Sequence, residues 1–253
     1  MSLPLIVYVL RAAVRDRLVV AMLVLLAMAV SLSIFFGSAA INEQKQFAAV
    51  FSAGSIRILN VFGLCLFVVF FIRRSFESRD IDFILTLPVS RIRFLLSYAF
   101  GFSLIGAFMG AVSGLSLYAL GPDSFSAGSL LWMVSIMAEN IIMVNVALFF
   151  AMILSSAATA SFAVFGFYVL ARMMSEILGI LDSGKYITHF EGMEVALKLV
   201  SVLMPRLDLM GQTSWLLYGP SDSIGYGFVL GQAFIYSALI ILAALIDLVL
   251  RKF

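Results

Sequence analysis

One cysteine, one histidine and five prolines are all that this chain of 253 residues contains of those types. A single thiol, Cys65, excludes an internal disulfide and says nothing about redox compartment. The lone histidine, His189, has no second His or Cys beside it to complete a metal site, and reads as a surface residue of a loop. With so little proline, long unbroken helices are favoured. Charge is scarce as well, at 12% of residues against about a quarter in soluble domains. A net charge of +2 is too small to suggest a nucleic-acid partner. No G-x-x-x-x-G-K-S/T phosphate-binding loop occurs, so the chain is expected not to hydrolyse ATP by itself. No Ser-His-Asp or paired-carboxylate arrangement stands out, and no catalytic, cofactor-binding or metal-binding residue is nominated.

What is present is hydrocarbon. The chain is 63% apolar, with 24 Phe, and its mean hydropathy is +1.13. These values define an all-α polytopic membrane protein, organised as a single domain over 1–253. Six segments are apolar over the roughly 20 residues that a core of about 30 Å requires: 18–40, 56–72, 94–120, 130–154, 158–180 and 228–250. The first is too long for a signal-peptide core and lacks a small-residue cleavage site, so the N-terminus is expected to be retained.

Orientation follows from the lysines and arginines of the connecting segments. With both termini cytoplasmic, the inside receives Arg11, Arg15, Arg17, Arg73, Arg74, Arg79, Arg91, Arg93, Arg251 and Lys252. The outside receives Lys45, Arg57, Lys185, Lys198 and Arg206. Ten against five favours both termini inside, in a cell (inner) membrane.

Residues 2–16 suit a helix lying on the membrane surface, with Leu3, Ile6, Val7, Leu10, Ala13 and Val14 on one face and Tyr8, Arg11 and Arg15 on the other. The outer segment 181–227 is the largest loop, and its apolar residues Val195, Leu199, Val202 and Leu203 fall at helical spacing before Pro205. Trp215, Tyr218 and Tyr226 read as aromatic anchors ahead of the last span. The link between the fourth and fifth spans is minimal, Ser155-Ser156-Ala157.

Polar residues also fall where lipid should be. The fourth span carries Glu139, Asn140 and Asn145, and the fifth carries Arg172 and Glu176, which are four apart and placed to pair. Ionisable groups at membrane depth cost roughly 2.5–3.5 kcal/mol on insertion scales, so they face protein or a water-filled cavity. Two readings stand: a polar patch in a substrate path or at a subunit contact, and interhelical bonding that fixes the bundle. Gly106, Gly110 and Gly114 form a tandem small-xxx-small stripe for close helix packing.

The densest charge lies between the second and third spans. Glu77, Asp80 and Asp82 lead; Ile81, Ile84 and Leu85 mark one apolar face; Pro88 interrupts; Arg91 and Arg93 close the segment. A short amphipathic helix ended near Pro88 is expected, suited to docking in a groove of a soluble partner. The alternative is a helix resting on lipid phosphates through its arginines.

The run Leu85-Thr86-Leu87-Pro88-Val89-Ser90-Arg91, preceded by Glu77 and leading into the third span, resembles the cytoplasmic turn of permease subunits of ABC-2-type transporters. The order of interfacial helix, six spans and outer segment is similar to that family along the whole chain. The resemblance implies that 75–93 is a coupling helix seated on a separate ATPase subunit. Glu77, Asp80, Asp82, Pro88 and Arg91 would then lie at or beside that contact. It also implies two ATPase chains, which bind ATP and Mg, and two permease chains, identical or related. A membrane anchor that recruits a soluble protein is the second reading, and a proton-coupled carrier using Glu139 or Arg172 with Glu176 the third.

Overall fold

The computed structural model describes residues 2–39, 43–78, 90–117, 126–182, 191–220 and 224–250. Helices account for almost all of them: α1 (Leu3–Arg15), α2 (Leu18–Ala39), α3 (Gln44–Glu77), α4 (Arg91–Ser116), α5 (Ala127–Ile153), α6 (Ala157–Arg172), α7 (Met174–Asp182), α8 (Glu191–Leu203), α9 (Ser214–Tyr218) and α10 (Tyr226–Leu250), with a 3-10 turn at Leu207–Leu209. No strand occurs among the described residues. Helices α2, α3, α4, α5 and α10 are each long and apolar enough to cross a membrane, while α6 is apolar but shorter at 16 residues. The chain is thus an all-α, membrane-embedded protein. Residues 79–89, which hold Asp80, Asp82 and Pro88, lie outside the described residues, as do His189 and Lys185.

Local chemistry sets the helix starts. Pro4 sits in the first turn of α1, where its missing N–H breaks no helical bond. Ser90 caps α4 by accepting a hydrogen bond from the Arg93 N–H at 3.3 Å. Ser126 and Ser129 form a reciprocal capping box at the start of α5.

Helix contacts fix the topology. Gly106 meets Asn140, Gly110 meets Met137 and Gly114 meets Met133, which sets α4 and α5 antiparallel along one seam. Asn60 donates to Ser113 at 2.7 Å and joins α3 to α4. Phe62 stacks on Phe165 at 4.2 Å and joins α3 to α6. Helix α5 is the most enclosed of the long helices, and one core unites it with α1 to α4, α6 and α10. Helices α2 and α10 keep apolar outer faces, among them Phe35, Leu32, Phe234 and Leu239, as a lipid-facing surface requires.

Three features depart from the sequence expectations. Helix α3 runs for 34 residues, about 51 Å, and begins at Gln44, well before the expected second span at 56–72. Its added turns pack on α2, where Phe36 meets Phe51 at 5.5 Å and Gly37 leaves room for Ala48. The fifth expected span is broken at Met173 into α6 and α7. In α1 the buried stripe is Ile6, Val9, Ala12 and Ala13, turned from the expected face so that Leu3 and Val14 remain exposed. The cause is Gly101 on α4, whose bare backbone admits Val9; a Cβ there would stand 3.1 Å from the Val9 side chain.

Candidate functional site

Glu139 lies about 18 Å along α5 from its start and is fully buried. Three side chains converge on its carboxylate. The Tyr168 hydroxyl from α6 donates to Oε1 at 3.1 Å. Arg57 Nε from α3 and Arg172 Nη1 from the end of α6 approach Oε2 at 3.6 and 3.9 Å. Burying a charge is tolerable only with compensation, and here one carboxylate serves two guanidiniums.

The second of those guanidiniums has further partners. Arg172 Nη1 donates to the Leu207 carbonyl, and to that of Met210 at 2.8 Å. Gly211 N–H in turn donates to Ser135 Oγ at 2.6 Å, one helical turn from Glu139 on α5. Gly211 adopts φ +57, and a Cβ there would stand 2.8 Å from Arg57 Nη2, so glycine answers both conformation and space. The segment 205–218 therefore folds back against the bundle and closes over the ionic cluster.

A second polar knot holds that segment in place. Arg206 grips Asp208 with Nη2 at 2.9 Å and Nε at 3.1 Å. Ser175 of α7 donates to Asp208, and the Arg206 N–H donates to Gln232 of α10 at 3.3 Å. Burial pushes the Asp208 carboxyl up, but the hydrogen bonds from Arg206 and Ser175 and the Arg206 charge together hold it below the ordinary carboxylate range.

The intramembrane polar residues named from the sequence separate into two groups. Glu139 and Arg172 enter the ionic cluster. Asn140 donates to the Gly106 carbonyl at 3.1 Å, and Asn145 to Ser103 at 3.1 Å, so both hold α5 to α4. Glu176 is exposed in the first turn of α7, where the helix dipole favours an acid, and the ion-pair partner of Arg172 is Glu139. Arg57, counted among the outer charges at the edge of the second span, is buried within α3. Trp215, expected as an interfacial anchor, is buried, its carbonyl lying against Gly128; Tyr218 is exposed.

Sequence reasoning missed Arg57, Tyr168, Ser135 and Asp208. The available signal for Arg57 was its place between Ile56 and Ile58, at the start of the apolar run 56–72.

At the other end of the bundle, α1, the end of α3, the start of α4 and the end of α10 come together with most of the described arginines. Glu77 ends α3 and is exposed. Arg91 begins α4 and donates from Nη1 to the Leu248 carbonyl at 3.1 Å, tying α4 to the end of α10. Gly110 and Gly114 have their close partner within the same chain, on α5. Among the described residues, no group of three or more His, Cys, Asp or Glu could hold a metal ion. No protein-family model matches the chain, and no curated protein matches it.

Proposed function

We propose that this chain is the membrane-spanning permease subunit of an ATP-driven transporter of the ABC-2 type, working as an exporter. A separate pair of ATPase subunits would bind ATP and Mg and dock on residues 75–93 from the cytoplasm. The reading rests on one observation: the run from Glu77 through Leu85-Thr86-Leu87-Pro88-Val89-Ser90-Arg91 joins two membrane helices at the arginine-rich end of the bundle. Six spans, with α6 and α7 sharing the fifth crossing, and both termini inside complete the proposed topology.

Two details support a docking role. An acid at a helix C-terminus opposes the helix dipole by about 0.3–1 kcal/mol, and Glu77 is exposed there with no ion pair among the described residues. Nothing among the described residues compensates that acid, whereas a basic groove on a partner would. Arg91 offers the mechanical link, since displacement of the start of α4 is passed through the Leu248 carbonyl to α10. Transport then requires a bundle with two arrangements that bind the ATPase differently. The uncovered outer faces of α2 and α10 leave room for a second permease chain as well as lipid.

The test is co-expression with a candidate ABC ATPase subunit from the same genome. Glu77→Lys with Asp82→Lys should abolish co-purification while the chain still inserts. Recovery of the ATPase at the wild-type level would defeat the reading and favour a membrane anchor with another partner.

A further inference from the structure

Helix α8 leaves one side bare. At 100° per residue, Val195, Leu199, Val202 and Leu203 fall within about 100° of one another. They are 60%, 61%, 73% and 77% exposed. Leu197, on the opposite side, is half-buried, and α8 packs on α7. Large apolar side chains gathered on one exposed face mark a contact surface.

The depth of α8 says what covers that surface. The Tyr236 hydroxyl donates to the Val202 carbonyl at 2.9 Å, and the Arg206 N–H donates to Gln232 Oε1 at 3.3 Å. Gln232 and Tyr236 lie about 9 and 15 Å along α10 from its start at Tyr226. Half of a hydrocarbon core is about 15 Å thick. The end of α8 therefore sits below the start of a membrane-crossing helix, beside its flank. Near Tyr236 in sequence, Phe234, Ile235 and Leu239 are exposed on the lipid-facing surface of α10, and the α8 strip is continuous with that surface.

Charge and hydrogen bonding agree with this depth. Glu191, Glu194 and Lys198 confine the charges of α8 to its first eight residues, and 199–205 carry none. A helix end leaves four carbonyls without an intrahelical partner, and Val202, one of these, has the Tyr236 hydroxyl. Water would serve an end in solution equally well, whereas hydrocarbon makes a protein donor obligatory.

We propose that α8 inserts obliquely, C-terminal end first, into the leaflet at the start of α10, with Val195, Leu199, Val202 and Leu203 against acyl chains. The partner of the strip is the bilayer itself. Pro205 leads directly from α8 into the Arg206–Asp208 knot, so lipid anchors the segment that closes over Glu139. Such insertion is independent of the transport reading and of which side of the membrane is cytoplasmic.

The test uses the full chain with Cys65→Ala, reconstituted in phosphatidylcholine vesicles. Val195→Cys, Leu199→Cys and Leu203→Cys each carry a nitroxide label, with Leu239→Cys as the lipid-facing reference. Collision with oxygen, which concentrates in hydrocarbon, is compared with collision with a water-soluble nickel chelate. Oxygen should dominate at Leu203→Cys as it does at Leu239→Cys. Depth should increase from Val195→Cys to Leu203→Cys, by at most the rise of eight helical residues, about 12 Å. Val202→Cys repeats the reading if Leu203→Cys fails to insert. Dominance of nickel at Leu203→Cys puts the strip in water and overturns the proposal. Protection from both reagents overturns it too, assigning the strip to a second copy if the labels broaden one another and to another protein surface if they do not. Equal depth at Val195→Cys and Leu203→Cys means a helix lying flat, which overturns the oblique insertion.

Discussion

Replacing Glu139 by Gln preserves shape and leaves an amide oxygen to accept from Tyr168, while removing the one negative charge that faces Arg57 and Arg172. At 3.6 and 3.9 Å, and with an effective dielectric of about 20, each pair has a gross attraction of about 4–5 kcal/mol. Desolvation of all three groups offsets much of that, so the net worth of the cluster is small compared with the sum. Removing one partner is a different matter, because the buried Arg57 and the partly buried Arg172 are then left without their shared counter-charge. The expected loss is about 3–5 kcal/mol. For a chain of this size that lowers the thermal midpoint by roughly 10 °C, at about 2–4 °C per kcal/mol.

The readout is intrinsic fluorescence in detergent. The chain has two tryptophans, Trp132 and Trp215, both buried on the side of the bundle where the cluster lies. A midpoint within about 2 °C of wild type would refute the cluster as a structural clasp. A double-mutant cycle sharpens the test. Arg57→Met alone should also destabilise, but combined with Glu139→Gln it removes the second unpaired charge, and Arg172 keeps its Leu207 and Met210 carbonyls. The combined loss should be smaller than the sum of the single losses. Simple additivity would show that Arg57 and Glu139 are neighbours without being coupled.

Two further outcomes follow from the same geometry. Gly110→Ala places a Cβ 2.7 Å from the Met137 Cα, which forces α4 and α5 apart and should lower the thermal midpoint by the equivalent of about 1–3 kcal/mol. Gly166→Ala on α6 meets nothing within 4 Å and should leave the midpoint unchanged or slightly raised; matching losses for the two would remove the seam argument. For Asp208, whose carboxyl is held below the ordinary range, the stabilisation is fully present above the unfolded value of about 4 and is lost as pH falls through the lower folded value. The gap in thermal midpoint between wild type and Asp208→Asn should therefore be constant from pH 7 to about 5 and close at lower pH. A gap that persists to pH 3 would mean that Asp208 contributes through shape alone.

Period and composition made much of the architecture legible in advance. The apolar runs of α2, α4, α5 and α10 are long enough to require helices in lipid, because no other backbone arrangement satisfies its own hydrogen bonds there. The Ser155-Ser156-Ala157 link, with α5 ending at Ile153 and α6 starting at Ala157, was readable for the same reason. The helix before Pro205 followed from its 3.6-residue spacing and appears as α8. The length of α3 and the break at Met173 were not legible, since each depends on a neighbour: α2 supports the extra turns of one, and the 205–218 segment occupies the space beyond the other.

Chain chemistry by itself determined that this protein is helical and membrane-embedded, because hydrocarbon must be buried and lipid demands internally satisfied backbone. It also singled out Glu139 and Arg172 as charges needing an explanation. Only the tertiary structure decided what answers them. Arg57, 82 positions from Glu139 in sequence, reaches its carboxylate because α3 and α5 lie side by side, and no local pattern encodes that distance. The same holds for Val9 in the space left by Gly101 and for Arg91 on the Leu248 carbonyl. A period states which face of a helix is apolar. The shape of the facing helix decides where that face turns, and packing decides which distant charge becomes its neighbour.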